Sequence, residues 1–335
     1  MVYETFLKTI QSMVQTRLNK KANVSLRRVL KNNGLMLDGL SFTKPGSRLS
    51  PTVYLNAYYN EAEEGMPLSI ITDQILMVYE TNPGFSEDIC EELRDFDAIR
   101  DRIAYKLIHA AKNKVLLSHV PHIPYLDLAI VFYLILTDNE EGQMTTLVHS
   151  DHLALWDISL EELGMLAEEN TPRMLPYHIS SIESTLNQLE MEDVFETEAL
   201  PSVSLYVLTN SRGINGAACM LYPRVLKEFA ESLGENLIIL PSSIHEVLLT
   251  PSSVSLPPEE LNEMVQAINQ SDVPAEDRLS DHIYYFSRIQ GCLYLPPSST
   301  TTLYSGADGT VNPPLRWQPP APPRLPPPSA RLPNC

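Results

Sequence analysis

Cysteine is scarce and scattered. The four thiols among 335 residues, Cys90, Cys219, Cys292 and Cys335, form no C-x-x-C pair. That spacing excludes a zinc ribbon and a redox dithiol, and makes reduced, buried thiols the expectation. Positive charge is also short: 24 Lys and Arg face 42 Asp and Glu, a formal net charge of −18. Such a surface repels phosphate backbones and anionic lipids, so neither nucleic acid nor membrane is an expected partner. The one basic run, Arg17, Lys20, Lys21, Arg27, Arg28 and Lys31, reads as a solvated face, part of it at the C-terminal end of a first helix where cations suit the dipole. Long apolar runs are missing as well. The stretch 125–136 contains Asp127 and is far below the roughly 20 residues of a membrane span. Glu4, Lys8, Gln11 and Gln15 interrupt any signal-peptide core in the first 20 residues. These absences predict a soluble protein of the cytoplasm, and the 44% hydrophobic content suffices for a sizeable core.

What is present reads as an α+β (mixed α/β) fold: a helix-rich region over 1–120, then a mixed-sheet domain over 121–290. Phe6, Ile10, Met13, Val14 and Leu18 make one helical stripe, and Leu68, Ile71, Ile75, Val78 and Tyr79 make another. Between them, Asn33-Gly34 opens a strand over 35–42, 51–55 is extended, and 56–64 turns helical. One or two further helices are expected within 87–108. Residues 126–136, apolar at successive positions, predict a central strand covered on both faces, with 144–148 as its neighbour. Asp151 is placed as the cap of a short helix, and Ser159 with Glu162 forms a capping box for a helix ending near Asn170. Helices are also expected over 180–188 and 258–268, and a last strand over 284–286.

The densest signals lie in 203–250. Residues 205–209 and 217–221 read as strands joined by a loop ending Asn215-Gly216, an antiparallel hairpin. Pro223 opens an amphipathic helix that buries Val225, Leu226, Phe229, Ala230 and Leu233 and stops at Gly234. Two more strands, 236–240 and 244–250, flank Pro241-Ser242-Ser243.

Composition changes near Gly291. Residues 291–335 hold 12 of the 27 prolines, three arginines and a single acidic residue, whereas 1–290 carry a formal −20. This Pro-rich tail is expected to be disordered, as an accessory appendage or the product of a shifted reading frame. Its stretch 319–328 has the PxxP-plus-Arg pattern of ligands for aromatic grooves.

Few residues point to chemistry. His149 and His152, three apart, are the weak metal candidates, without an evident third ligand. His119 and His122 share that spacing, but Pro121 between them excludes a regular helix. An extended run over 243–249 places Ser243, His245 and Val247 on one face and Glu246 on the other, which makes Ser243, His245 and Glu246 the weak catalytic candidates. No G-x-S-x-G elbow, GxGxxG, P-loop or H-E-x-x-H pattern accompanies them, so no cofactor is expected. The loop 210–216 is read as a hairpin connection, and the acidic groups at 61–64 and 190–193 as solvated faces without calcium-loop spacing.

Asn32-Asn33-Gly34-Leu-Met-Leu-Asp-Gly-Leu, Ser50-Pro-Thr-Val-Tyr-Leu-Asn-Ala-Tyr-Tyr, Val120-Pro-His-Ile-Pro-Tyr-Leu-Asp-Leu-Ala, Ile239-Leu-Pro-Ser-Ser-Ile-His-Glu-Val-Leu-Leu and Leu279-Ser-Asp-His-Ile-Tyr-Tyr together resemble an uncharacterised domain-of-unknown-function family of gut anaerobic bacteria, over 1–290. The resemblance implies a bacterial cytoplasmic protein and brings no activity, cofactor or catalytic residue with it. The function expected is a non-enzymatic binding or regulatory module that recognises a protein or peptide. The competing expectation is a hydrolase using His245 with Ser243 or Glu246, with metal assistance at His149 and His152; a third is a small-ligand binder between the two halves.

Overall fold

The computed structural model describes residues 1–19, 21–45, 50–81, 92–139, 142–182, 204–254 and 256–295. Helix α1 (Tyr3–Leu18) forms on the expected stripe and buries Phe6, Leu7, Ile10, Val14 and Leu18, then ends at Asn19 in the left-handed region, φ 44°. Strand β1 (Asn23–Leu30) pairs antiparallel with β2 (Met36–Thr43), and β3 (Thr52–Tyr54) completes a three-stranded sheet. Helices α2 (Asn56–Glu63) and α3 (Leu68–Thr81) follow. The α1 stripe closes a core with Leu40, Phe42, Leu55, Ile71 and Ile75, and Phe42 stacks on Tyr79 at 4.3 Å. Strand β1 was not foreseen, because Arg27 and Arg28 mask its alternation. Arg28 faces Asp38 across the ladder, Nε to Oδ1 3.0 Å, so part of the basic run is tied down within the fold.

A second antiparallel sheet is built around β6. Strands β4 (Ile103–His109) and β5 (His122–Tyr125) flank β6 (Leu128–Asn139), and β7 (Gly142–Leu147) pairs with its far end. The central strand expected over 126–136 is thus present and buried on both faces. Leu128, Ile130, Phe132 and Leu134 enter the largest core; Val131 and Tyr133 point the other way. Of the one or two helices expected within 87–108, a short one forms at Phe96–Ile99, whereas 103–109 are a strand that pairs residue for residue with 134–128, their Ile and Tyr content favouring the pleat. Helix α4 (Ser150–Trp156) precedes α5 (Leu160–Met174), where Ser159 Oγ accepts the Glu162 N–H at 3.1 Å as its sequence implied. Helix α5 runs past Asn170 because that end is fastened: Asn170 Nδ2 donates to the Arg100 carbonyl (2.8 Å), and the Tyr105 N–H donates to Thr171 Oγ1 (3.1 Å).

The third sheet has the order β13-β12-β10-β11-β9-β8, antiparallel throughout. Strands β8 (Tyr177–Ser181) and β9 (Tyr206–Asn210) lead to α6 (Val225–Leu233), β10 (Leu237–Leu240), β11 (Val247–Pro251), α7 (Pro258–Ser271), β12 (Tyr284–Ser287) and β13 (Cys292–Tyr294). Residues 180 and 181 belong to β8 rather than to a helix start, and 183–188 lie outside the described residues. The expected hairpin is also corrected. Residues 216–221 form a buried 3-10 segment, since both sides of β9 are occupied by β8 and β11. That segment, from Ala217 to Tyr222, fills the largest core together with side chains of the second and third sheets. Helix α6 stops at Gly234, φ 76°, as expected, but Phe229 is half-buried and meets Tyr206 edge-on at 4.9 Å, while Val225, Leu226 and Ala230 are buried. Strand β13 corrects the start of the tail: Cys292 and Leu293 are buried, Leu293 within the largest core, and 296–335 lie outside the described residues. The fold is α+β, and among the described residues no helix is long and apolar enough to cross a membrane.

Candidate recognition site

The connection from β10 to β11 carries the candidate residues. The strand expected to start at 244 begins only at Val247, because the preceding turn is held by other bonds. Ser243, 5% exposed, forms a β-bridge with Arg278, and the Ile244 N–H donates to the Asp277 carbonyl at 2.7 Å. Ser243 Oγ accepts the backbone N–H of His245 at 3.0 Å; no hydrogen bond joins it to the imidazole. The ring has two other partners. Nδ1 accepts the Asn215 N–H at 3.3 Å, and Nε2 lies 3.2 Å from Asp277 Oδ1. This pattern selects the tautomer with hydrogen on Nε2, donated to the carboxylate. The His245 carbonyl also accepts the Thr209 hydroxyl at 2.8 Å. His245 therefore links the loop after β9 to the loop after α7, and both of its ring nitrogens are engaged.

Around this strut the surface sinks into a depression of about 390 Å³, lined by Ser243, His245, Glu246, Asp272 and Asp277 with Gly213, Val273 and Pro274. Three carboxylates converge there. Burial pushes Glu246 above the usual carboxylate range; His245 opposes the shift and Asp277 adds to it. Asp272 is exposed at the rim and accepts the Ser271 hydroxyl at 2.5 Å. The sequence pointed to Ser243, His245 and Glu246 through the alternation of an extended run over 243–249, of which only the part from Val247 is strand. It gave no sign of Asn215, Asp272 or Asp277, which arrive on loops whose local sequence is ordinary turn chemistry.

The histidine pairs have structural partners. His149 is exposed, and its backbone N–H donates to His152 Nδ1 at 3.2 Å, so His152, not Asp151, satisfies the start of α4. The His152 ring lies 5.1 Å from Trp156, and burial together with His149 lowers its pKa, which keeps the ring a neutral acceptor. His122, the first residue of β5, has its Nδ1 3.1 Å from the Val120 carbonyl, and the His119 carbonyl takes the N–H and hydroxyl of Ser150. Among the described residues no group of three His, Cys, Asp or Glu side chains is arranged to hold a metal ion.

A family model described as a family of unknown function (DUF5688) matches residues 3–288. The chain belongs to this family. No curated protein and no solved structure matches it. The matched span takes in the whole depression, from Gly213 to Asp277, and ends before β13.

Proposed function

We propose that the protein is a non-enzymatic binding or regulatory module that recognises a protein or peptide, seating a cationic side chain in the depression beside Glu246. One observation carries the reading: a desolvated carboxylate, Glu246, shares an open concavity with Asp272 and Asp277. A Lys or Arg side chain entering there relieves the charge that burial and Asp277 penalise. The formal −18 steers cationic partners toward the molecule and turns nucleic acid and anionic membranes away. A reducing compartment such as the cytoplasm suits the buried free thiols Cys219 and Cys292. Hydrolysis by His245 with Ser243 or Glu246 is less favoured, because a general base needs a free ring nitrogen facing its nucleophile.

Titration of the full chain with labelled Lys- and Arg-containing peptides, followed by anisotropy, tests this. Glu246→Gln with Asp272→Asn should weaken binding about tenfold, which is about 1.4 kcal/mol. Binding should also fade on acidification before ordinary carboxylates titrate, since the raised Glu246 takes up its proton first. Equal affinity for acidic and basic peptides, or ester hydrolysis abolished by Ser243→Ala, would sink the proposal.

A further inference from the structure

Strand β4 carries a lysine in an apolar setting. Lys106 alternates with Tyr105 and Leu107, so it emerges on the face of Ala104 and Ile108, opposite the largest core. Its ladder partner on β6 is Val131, and its Nζ lies 5.8 Å from the centre of the Tyr133 ring. Among the described residues Lys106 has that ring contact but no hydrogen bond and no ion pair. Its charged neighbours are Lys31, which disfavours the ammonium, and Asp277, which favours it but is engaged by His245.

Tyr133 supplies a second, independent signal. It is 2% exposed, and its hydroxyl is buried without a hydrogen-bond partner among the described residues; the Asn215 side chain is close but outside bonding geometry. Buried hydroxyls are nearly always paired. A donor and an amine that both lack hydrogen-bond partners share one face of the sheet, Tyr133 lying two residues along β6 from the ladder partner of Lys106, and together they match a polar double bond that accepts from one and reacts with the other.

We propose that Lys106 is a carbonyl-reactive amine that takes a small aldehyde or ketone as an imine, with the Tyr133 hydroxyl donating a hydrogen bond to the carbonyl oxygen. The Nζ lone pair adds to the carbonyl carbon while the π pair moves onto oxygen. The nitrogen pair then forms the C=N bond as the C–O bond breaks, and the two amine hydrogens leave with the oxygen as water. Nothing is oxidised or reduced. Burial first, then Lys31, lowers the amine to about 8. About a quarter of it is therefore neutral at pH 7.5, against about one part in a thousand for an ordinary lysine.

The test is reductive trapping on the folded full chain: acetaldehyde with cyanoborohydride at pH 7.5, followed by peptide mass mapping over time. Lys106 should acquire its N-ethyl group about tenfold faster than the median of the other lysines. Its rate should reach half its maximum near pH 8, whereas exposed lysines keep accelerating beyond that. Lys106→Arg should remove the fast site and leave slow labelling elsewhere. Tyr133→Phe, with its fold checked by circular dichroism, should slow Lys106 about fivefold or more if the phenol holds the carbonyl. Labelling of Lys106 no faster than the median, or its complete protection, would overturn the assignment. An unchanged rate in Tyr133→Phe would overturn the part given to the phenol.

Discussion

Gly216 stands where the chain has no room for a side chain. A Cβ built there would collide with the Thr209 hydroxyl, the His245 carbonyl and the Asn210 amide. Two of these are backbone atoms that cannot swing away, so Gly216→Ala should destabilise the protein by about 3 kcal/mol. Gly213, at φ 64° with open space around it, should cost only about 1 kcal/mol for the strained backbone. Urea denaturation of both variants checks this, and equal midpoints would mean that the 216–221 segment is not wedged against β9. The same residue shows what was legible. Asn215-Gly216 announced a positive φ, and Asn215 has it, at 54°, but two adjacent turn residues do not say whether the chain returns as a strand or as a buried 3-10 turn. His245 stood out by its type, whereas its partners come from Asn215, 30 positions earlier, and from Asp277 on another loop. Tertiary partners of that kind leave no periodicity to read.

At the scale of elements, periodic segments with marked ends were readable and short ones were not. Helices α1, α3 and α6 carry stripes, and α1 and α6 end at left-handed residues, so sequence placed them close to where they form. Strands β1, β4 and β8 are interrupted by charged or polar residues, and only pairing with a neighbour decides their form. Strand β13 is the clearest case, since three residues at the head of a proline-rich stretch give no signal. It pairs Phe286 with Leu293 and Ser287 with Cys292, and Tyr285 lies 5.7 Å from Tyr294 in a stacked pair. A chain ending at residue 290 should therefore be less stable than one ending at 295 by about 3 kcal/mol, the worth of burying one or two apolar side chains. Thermal unfolding of the two chains isolates the strand. Coincident melting curves would show that β13 adds nothing to the third sheet.

The whole molecule is joined through an asparagine cluster. The turn between β1 and β2 holds Asn33 at φ 58°, and its side chain donates to the carbonyls of Ala275 (2.8 Å) and Arg278 (2.7 Å). Asn32 Nδ2 reaches the Glu276 carbonyl at 2.5 Å. Beneath them Asn113, 2% exposed, accepts the Asn33 N–H at 2.8 Å and donates to Asn33 Oδ1 at 3.0 Å and to the His109 carbonyl at 2.9 Å. This cluster fastens the N-terminal sheet to β4 and to the loop that carries Asp277, one of the residues lining the acidic depression. Sequence marked Asn33-Gly34 only as the opening of a strand, because a side chain that caps a neighbour's loop looks the same as one that caps its own. Asn113→Ala strips one backbone donor and two acceptors of a partner inside the protein and should cost about 2–4 kcal/mol. The loss should fall on the junction rather than on either core. Hydrogen exchange should therefore speed up for amides of 36–43 while those of 128–136 keep their protection, as expected when one cooperative unit is released from another. The Lys112–Asp281 pair nearby, 3.1 Å and partly exposed, is too screened to compensate. Equal loss of protection in both stretches would mean that the two cores unfold as one unit and that the cluster is no joint between them.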